Sequence, residues 1–205
     1  MKILIAILSC HKYGNLRQAQ SETFLKDCPV DYRYFIGGEP GTEQDVTYLP
    51  VPDDYDNLTL KTQAMCRWAL DHDYTHLFKC DDDTYVHVER LLSSGFEQHK
   101  YSGYTLGRTW AQGGAGYWLD RECMELVADS RYKPPQHPAE DVMVGDTLKV
   151  VHIYPVHDER YRTGYGAANC QVPTPNNDVI TAHKLNAFGI RDIHSNLVRD
   201  RAVVA

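Results

Sequence analysis

The chain has 205 residues, 42% of them hydrophobic and 24% charged, long enough for a compact core and too apolar for a disordered chain. Its 28 acidic against 21 basic side chains leave a net charge of −7, which argues against a nucleic-acid partner, because phosphate backbones are gripped by excess lysine and arginine. A small polyanion stays admissible where a metal ion neutralises it locally.

Ile3 to Leu8 is a continuous apolar run, the pattern of a strand buried on both faces. Together with Lys2 and Cys10 it has a superficial likeness to a signal peptide or lipoprotein site. It is too short for either and far too short to span a bilayer. No other segment is apolar enough to span one, so no membrane span and a cytoplasmic location are expected. The six cysteines, Cys10, Cys28, Cys66, Cys80, Cys123 and Cys170, form no CxxC pair and read as mostly reduced core residues. The chain stops at Arg201-Ala-Val-Val-Ala205 without an evident terminal element, so a fragment of a longer protein is one reading.

A helix is predicted from Leu16 to Lys26, strands over Tyr32–Ile36 and Val46–Val51, and a helix from Leu58 to about Leu70 capped by Asn57. The next strand, His76–Cys80, runs straight into Asp81-Asp82-Asp83. Helix is predicted for Val88–Gln98, strand for Tyr117–Leu119, and helix for Arg121–Val127. A proline-rich loop (Lys133–Ala139), a helix (Glu140–Leu148) and a strand (Val150–Tyr154) follow. After Pro155 the pattern weakens, and Gln171–Asp178 reads as loop. The alternation in the first half argues an α/β fold with a mainly parallel sheet covered on both faces. Ligands of such sheets bind beyond the carboxyl ends of strands, where the three aspartates fall.

Adjacent carboxylates repel, and a hard divalent cation between them relieves the repulsion; oxygen ligands select Mg²⁺ or Mn²⁺. In an extended segment Asp81 and Asp83 point to one side and Asp82 away. A solvated acidic turn is the competing reading. Glu140-Asp141 opens a helix, where acidic residues are favoured in any case, but a carboxylate there can also serve as general base. Gly113-Gly114-Ala115-Gly116, between Trp110 and Tyr117-Trp118, lets backbone approach a ligand closely; with no Lys-Ser or Lys-Thr pair following, it is no Walker loop. Either His183 or His194 suits a metal shell begun by Asp83, and spacing does not choose between them.

The runs YDNLTLKTQAMCRWAL, FKCDDDTYV, GGAGYWLD and EDVMVG, in this order, resemble the β-1,3-galactosyltransferase and Fringe-related glycosyltransferases. ILIAILSCHKYGNLRQAQSETF resembles that family's first strand and arginine-bearing helix, and the likeness extends from Ile3 to about His183. The small size also resembles compact glycosyltransferase domains encoded by large algal (chlorella) viruses, which would place the chain in host cytoplasm. The resemblance implies a single GT-A domain over residues 1–205, Rossmann-like, with a nucleotide-binding part to about residue 100 and an acceptor and catalytic part beyond. It implies a UDP-sugar donor, Mn²⁺ (or Mg²⁺), a glycan or glycoprotein acceptor, and inversion at the anomeric carbon. By residue, it implies Asp83, Asp81 and His183 at the metal and Asp141 as base. Ser9, Cys10, Arg17, Lys61, Asp81, Asp82 and Gly114 fall on the nucleotide-sugar side. The family's usual anchor and cysteine pattern are not evident, and Val156–Asp178 does not align. A sugar nucleotidyltransferase, a metal-dependent phosphohydrolase and a non-catalytic carbohydrate-binding domain are the rivals. Pyrophosphate release, product analysis with added acceptor, and glycan binding without UDP or metal distinguish them.

Overall fold

A computed structural model of the chain describes residues 1–105, 107, 109–132, 139–164 and 171–204, of which 200–204 by backbone alone. In chain order the elements are β1 (Ile3–Leu8), α1 (Gly14–Ser21), β2 (Asp31–Gly37), β3 (Gly41–Glu43), β4 (Val46–Leu49), α2 (Leu58–Asp71) and β5 (His76–Asp81). There follow β6 (Tyr85–Val86), α3 (Val88–Leu92), β7 (Tyr101–Gly103), β8 (Tyr117–Asp120), α4 (Arg121–Ala128) and α5 (Glu140–Lys149). The last are β9 (Val156–His157), β10 (Tyr161–Arg162), β11 (Thr181–Ala182) and α6 (Ala187–Val204).

The main sheet has the order β3-β4-β2-β1-β5-β8-β7-β9. Its centre, β4-β2-β1-β5, is parallel, as expected of strand–helix alternation. β1 sits between β2 and β5, so the chain leaves it in opposite directions. The end of β1 beside the end of β5 is therefore a switch point, where α/β sheets open a crevice; the register sets Leu8 opposite Asp81 there.

The continuous apolar run of β1 splits between two cores. Ile5 and Ile7 face one core with α1, α3 and α6, to which Leu16, Leu91 and Ile190 belong. Leu4, Ala6 and Leu8 face the other, with Met65 of α2, Met124 of α4 and Val144 of α5. A strand covered on both faces cannot alternate apolar with polar. Each large side chain so buried contributes about 1.5–3 kcal/mol relative to exposure.

Several expectations need correction. The first helix ends at Ser21, short of Lys26, with turns following. Asn57 does not cap α2 through its side chain; Asp54 instead caps the 3-10 turn leading into it, accepting from the Asn57 N–H at 2.9 Å. The helix over Val88–Gln98 breaks after Leu92, because Gly95 takes φ +84°, and a separate 3-10 turn follows at Phe96–Gln98. No strand forms over Val150–Tyr154. The N–H groups of Val151, His152 and Ile153 fold back onto the carbonyls of Leu148 and Lys149, so the helix end takes the donors a strand would need. Part of the predicted proline-rich loop, residues 133–138, lies outside the described residues.

Candidate active site

Asp81 is the last residue of β5, and Asp83 lies two residues later, just before β6. β6 pairs antiparallel with β11, setting Tyr85 opposite Ala182. His183 follows Ala182 directly and is thereby delivered beside Asp83, and the Leu185 N–H donates to the Asp83 carbonyl at 2.9 Å. His183 Nε2 lies 3.1 Å from Asp83 Oδ1 and 4.0 Å from Asp81 Oδ2. Among the described residues this is the one group of acidic, histidine and cysteine side chains arranged to hold a metal, with ligand atoms within 4.8 Å of one another.

Two observations test whether a cation fits. The imidazole Nδ1 is 3.2 Å from the Thr163 carbonyl, which can only accept, so Nδ1 carries the proton and Nε2 turns its other face to two carboxylates. Asp83 Oδ1 is buried, and with Nε2 unprotonated the imidazole 3.1 Å away offers it no hydrogen bond. A lone pair facing carboxylate oxygens calls for a positive charge between them, a proton or a metal. Burial works to lower the His183 pKa, but Asp83 and Asp81 outweigh it and raise it. Three such ligands around one ion, each about 2.1 Å away, would lie about 3–4 Å apart. The residues therefore fit a small divalent ion.

Asp82 points the other way, as alternation predicts. It is buried and accepts from Ser9 Oγ at 2.6 Å, while Arg17 donates to Ser9 Oγ at 2.8 Å and to the Cys10 carbonyl at 2.5 Å. Burial pushes the Asp82 carboxyl up to about 7, against the pull of Ser9; Asp81 and Asp83 add to the rise. Arg17, Ser9 and Asp82 thus tie the end of β1 to the end of β5.

Lys61 is buried, its ammonium 2.6 Å from Asp53 Oδ1 and 2.9 Å from the Ser9 carbonyl. It lies behind the strand end, and Asp53 in turn accepts from the N–H groups of Gly37 and His11. Gly114 lies beneath the His183 ring, and its carbonyl accepts from Thr84 Oγ1 at 2.7 Å. Asp141 opens α5, with Oδ1 held by the Val142 N–H at 2.8 Å and Oδ2 by the Gly113 N–H at 3.2 Å. Of the two late histidines, only His183 reaches the aspartates. His194 sits on α6 with Nδ1 3.1 Å from the Tyr85 hydroxyl, in a cavity of about 650 Å³ that Phe24 and Leu197 also line.

Sequence reasoning missed Lys79 and Asp53. Lys79 is buried in β5 and bonds Asp81 Oδ1 at 2.6 Å and Glu140 Oε1 at 2.5 Å. Burial opposes its charge, yet Asp81 and Glu140 hold its pKa above the ordinary lysine value. Burial likewise tends to raise Asp81, but Lys79, helped by His183, keeps it below the usual carboxylate range. Burial pushes the Glu140 carboxyl up to about 7 against the pull of Lys79, and Asp141 and Asp81 add to the rise. A lysine inside an apolar strand was the available signal, since such a charge is rarely buried unpaired.

Comparison with known proteins converges on one class, the glycosyltransferases. The fold matches a solved glycosyltransferase involved in glycosylation of the major capsid of PBCV-1, with TM-score 0.59 over 95% of this chain and 99% of that one, at 12% identity. The chain is also 26% identical to mouse β-1,3-galactosyltransferase 6 over 174 residues, 71% of this chain and 52% of that protein. It is 28% identical over 109 residues to the Arabidopsis thaliana hydroxyproline O-galactosyltransferase GALT2, covering 44% of this chain and 16% of that enzyme. The chain thus spans about half the length of the mouse protein and less of the plant one. No family model matches. No helix among the described residues is long and apolar enough to cross a membrane.

Proposed function

We propose that the chain is a metal-dependent, inverting glycosyltransferase that moves a hexose or deoxyhexose from a UDP-sugar to a hydroxyl of a glycan or glycoprotein acceptor. The observation that carries this is the convergence of Asp81, Asp83 and His183 at the carboxyl end of β5 in a chain whose relatives are galactosyltransferases. Asp83 and His183 would hold Mn²⁺ (or Mg²⁺), and Asp81 offers the oxygen that Lys79 leaves free. A divalent ion there supplies Lewis-acid stabilisation to the negative charge that grows on a leaving diphosphate.

The rest is carried by the chain itself. Ser9 and Cys10, at the end of β1, border the nucleotide side of the crevice, and Arg17 keeps them in place. Lys61 supports that strand end from behind, and Gly114 leaves room for His183. Asp141, oriented by two backbone N–H groups, takes the acceptor hydroxyl proton as that oxygen attacks the anomeric carbon opposite the leaving group. In a single displacement the C–O bond to UDP breaks as the new one forms, and the proton ends on the Asp141 carboxylate. On this reading, residues to about 100 bind the nucleotide and the remainder serves the acceptor and the proton transfer. The described cysteines are free thiols, three of them buried, which suits a reducing cytoplasm, the host's if the gene is viral.

The test is a calorimetric screen of UDP and UDP-sugars with Mn²⁺, alongside UDP release with and without glycan acceptors. Mn²⁺-dependent UDP binding that Asp83→Ala abolishes, with acceptor-stimulated UDP release, is the expected result. Pyrophosphate release from UTP and a sugar phosphate would favour a nucleotidyltransferase instead. Glycan binding indifferent to UDP and metal would favour a binding domain.

A further inference from the structure

Lys79 lies within β5 between Phe78 and Cys80 and is 1% exposed. Its ammonium touches one carboxylate from each half of the site: Asp81 Oδ1 at 2.6 Å on its own strand and Glu140 Oε1 at 2.5 Å on α5. The second Glu140 oxygen accepts from the Tyr117 hydroxyl at 2.6 Å, so both oxygens face protein donors. A helix N-terminus favours an acidic residue in its first turn, but that does not account for a bond to a cation on a sheet strand. Gly113 closes the arrangement. A β-carbon there would meet Glu140 Oε1 at 1.8 Å and Lys79 Nζ at 3.1 Å, and the Gly113 N–H donates to Asp141 Oδ2 at 3.2 Å.

We propose that Lys79 and Glu140 are positioning residues, whose bond fixes where Asp141 stands relative to the Asp81–Asp83–His183 cluster. Asp141 adjoins Glu140, so a shift of the glutamate carries the proton acceptor with it. The cluster adjoins Lys79 through Asp81, so the two halves of the reaction share one buried cation. This rests on the reading of Asp141 as base and of the cluster as a diphosphate–metal site. Misplacement by about 1 Å is worth about a hundredfold in rate, whereas a purely structural bond would alter only stability.

Two variants separate reach from charge. Glu140→Asp keeps the charge and shortens the arm by one methylene; Glu140→Gln keeps the arm and an acceptor for Lys79 but drops the charge. The expected result is that kcat for UDP release from UDP-galactose with acceptor falls about a hundredfold in E140D and about tenfold in E140Q. In both, the calorimetric Kd for UDP with Mn²⁺ should stay within about threefold of wild type. E140D as active as E140Q or more so, or a Kd that rises in step with the loss of kcat, overturns the proposal. Should E140D fail to fold, E140Q decides alone, and a kcat within about twofold of wild type overturns it. The parent reading fails differently. Wild-type protein would then show no Mn²⁺-dependent UDP binding and Asp83→Ala would change nothing, and the positioning role falls with it.

Discussion

The Cα of Gly114 lies directly against the imidazole of His183: a β-carbon placed there would stand 2.0 Å from Cε1 and 2.3 Å from Nε2. The histidine sits at a fixed place because the residue facing it has no side chain. Gly114→Ala is therefore expected to push the ring off Asp83 and weaken Mn²⁺ binding about 10–100-fold, the usual cost of disturbing a ligand's support. Titration of Mn²⁺ in the presence of UDP measures this, and an unchanged affinity would contradict it.

Asp141 is held by the N–H groups of Gly113 and Val142, and the amide of Asp141→Asn keeps the shape and one of these two bonds. Transfer should fall about 10²–10⁴-fold, the range for a lost general base, while UDP binding with Mn²⁺ stays within about twofold. Near-normal transfer would assign the proton to another group.

The buried Lys61 and the half-buried Asp53 form a pair at 2.6 Å, and the same ammonium fastens the Ser9 carbonyl. Lys61→Met leaves Asp53 with its two backbone N–H donors but no cation; because Asp53 keeps contact with solvent, the loss should be about 1–3 kcal/mol, below the cost of breaking a fully buried pair. Urea unfolding should show that loss. A change below about 1 kcal/mol would mean the pair is well hydrated.

Burial raises the Glu140 carboxyl from 4.5 to about 7. Between those values the native chain holds a proton that the unfolded chain has released. This contribution to stability is complete below about pH 4.5 and is lost as pH rises through 7. Glu140→Gln removes the titration, so the metal-free wild type should lose stability relative to E140Q between pH 5 and 8, by on the order of 2 kcal/mol. Parallel stability curves for the two proteins would show that Glu140 does not titrate in this range.

What was legible in the sequence was the local part. The buried run of β1, the apolar strand ending in three aspartates and the period-two separation of Asp82 from its neighbours all follow from backbone geometry within a few residues. The convergence of Asp83 with His183 depends on the pairing of β6 with β11, two-residue strands too short to carry a periodic signal. Lys79 was passed over because in β5 it reads as an interruption, and one of its two partners, Glu140, lies far off in the sequence. The helix α6 did leave a trace: Ile190, Ile193 and Leu197 recur on one face and pack into the core with α1. The weak patterning after Pro155 hid it. The strand predicted at Val150–Tyr154 shows the opposite error, in which β-branched residues advertised a strand that the end of α5 consumed as turn.

The β6–β11 pairing also sets an order of events in synthesis. While β1 and β5 lie side by side and carry the aspartates early, the imidazole of His183 is made 100 residues after Asp83. A chain still on the ribosome can fold its central sheet, with Asp81 paired to Lys79 and Asp82 to Ser9, before the imidazole that faces Asp83 has been made. Closing so long a loop carries a larger entropic cost than pairing neighbouring strands, so on the proposed reading of the cluster as a metal site its third ligand is added only once β6 and β11 have paired.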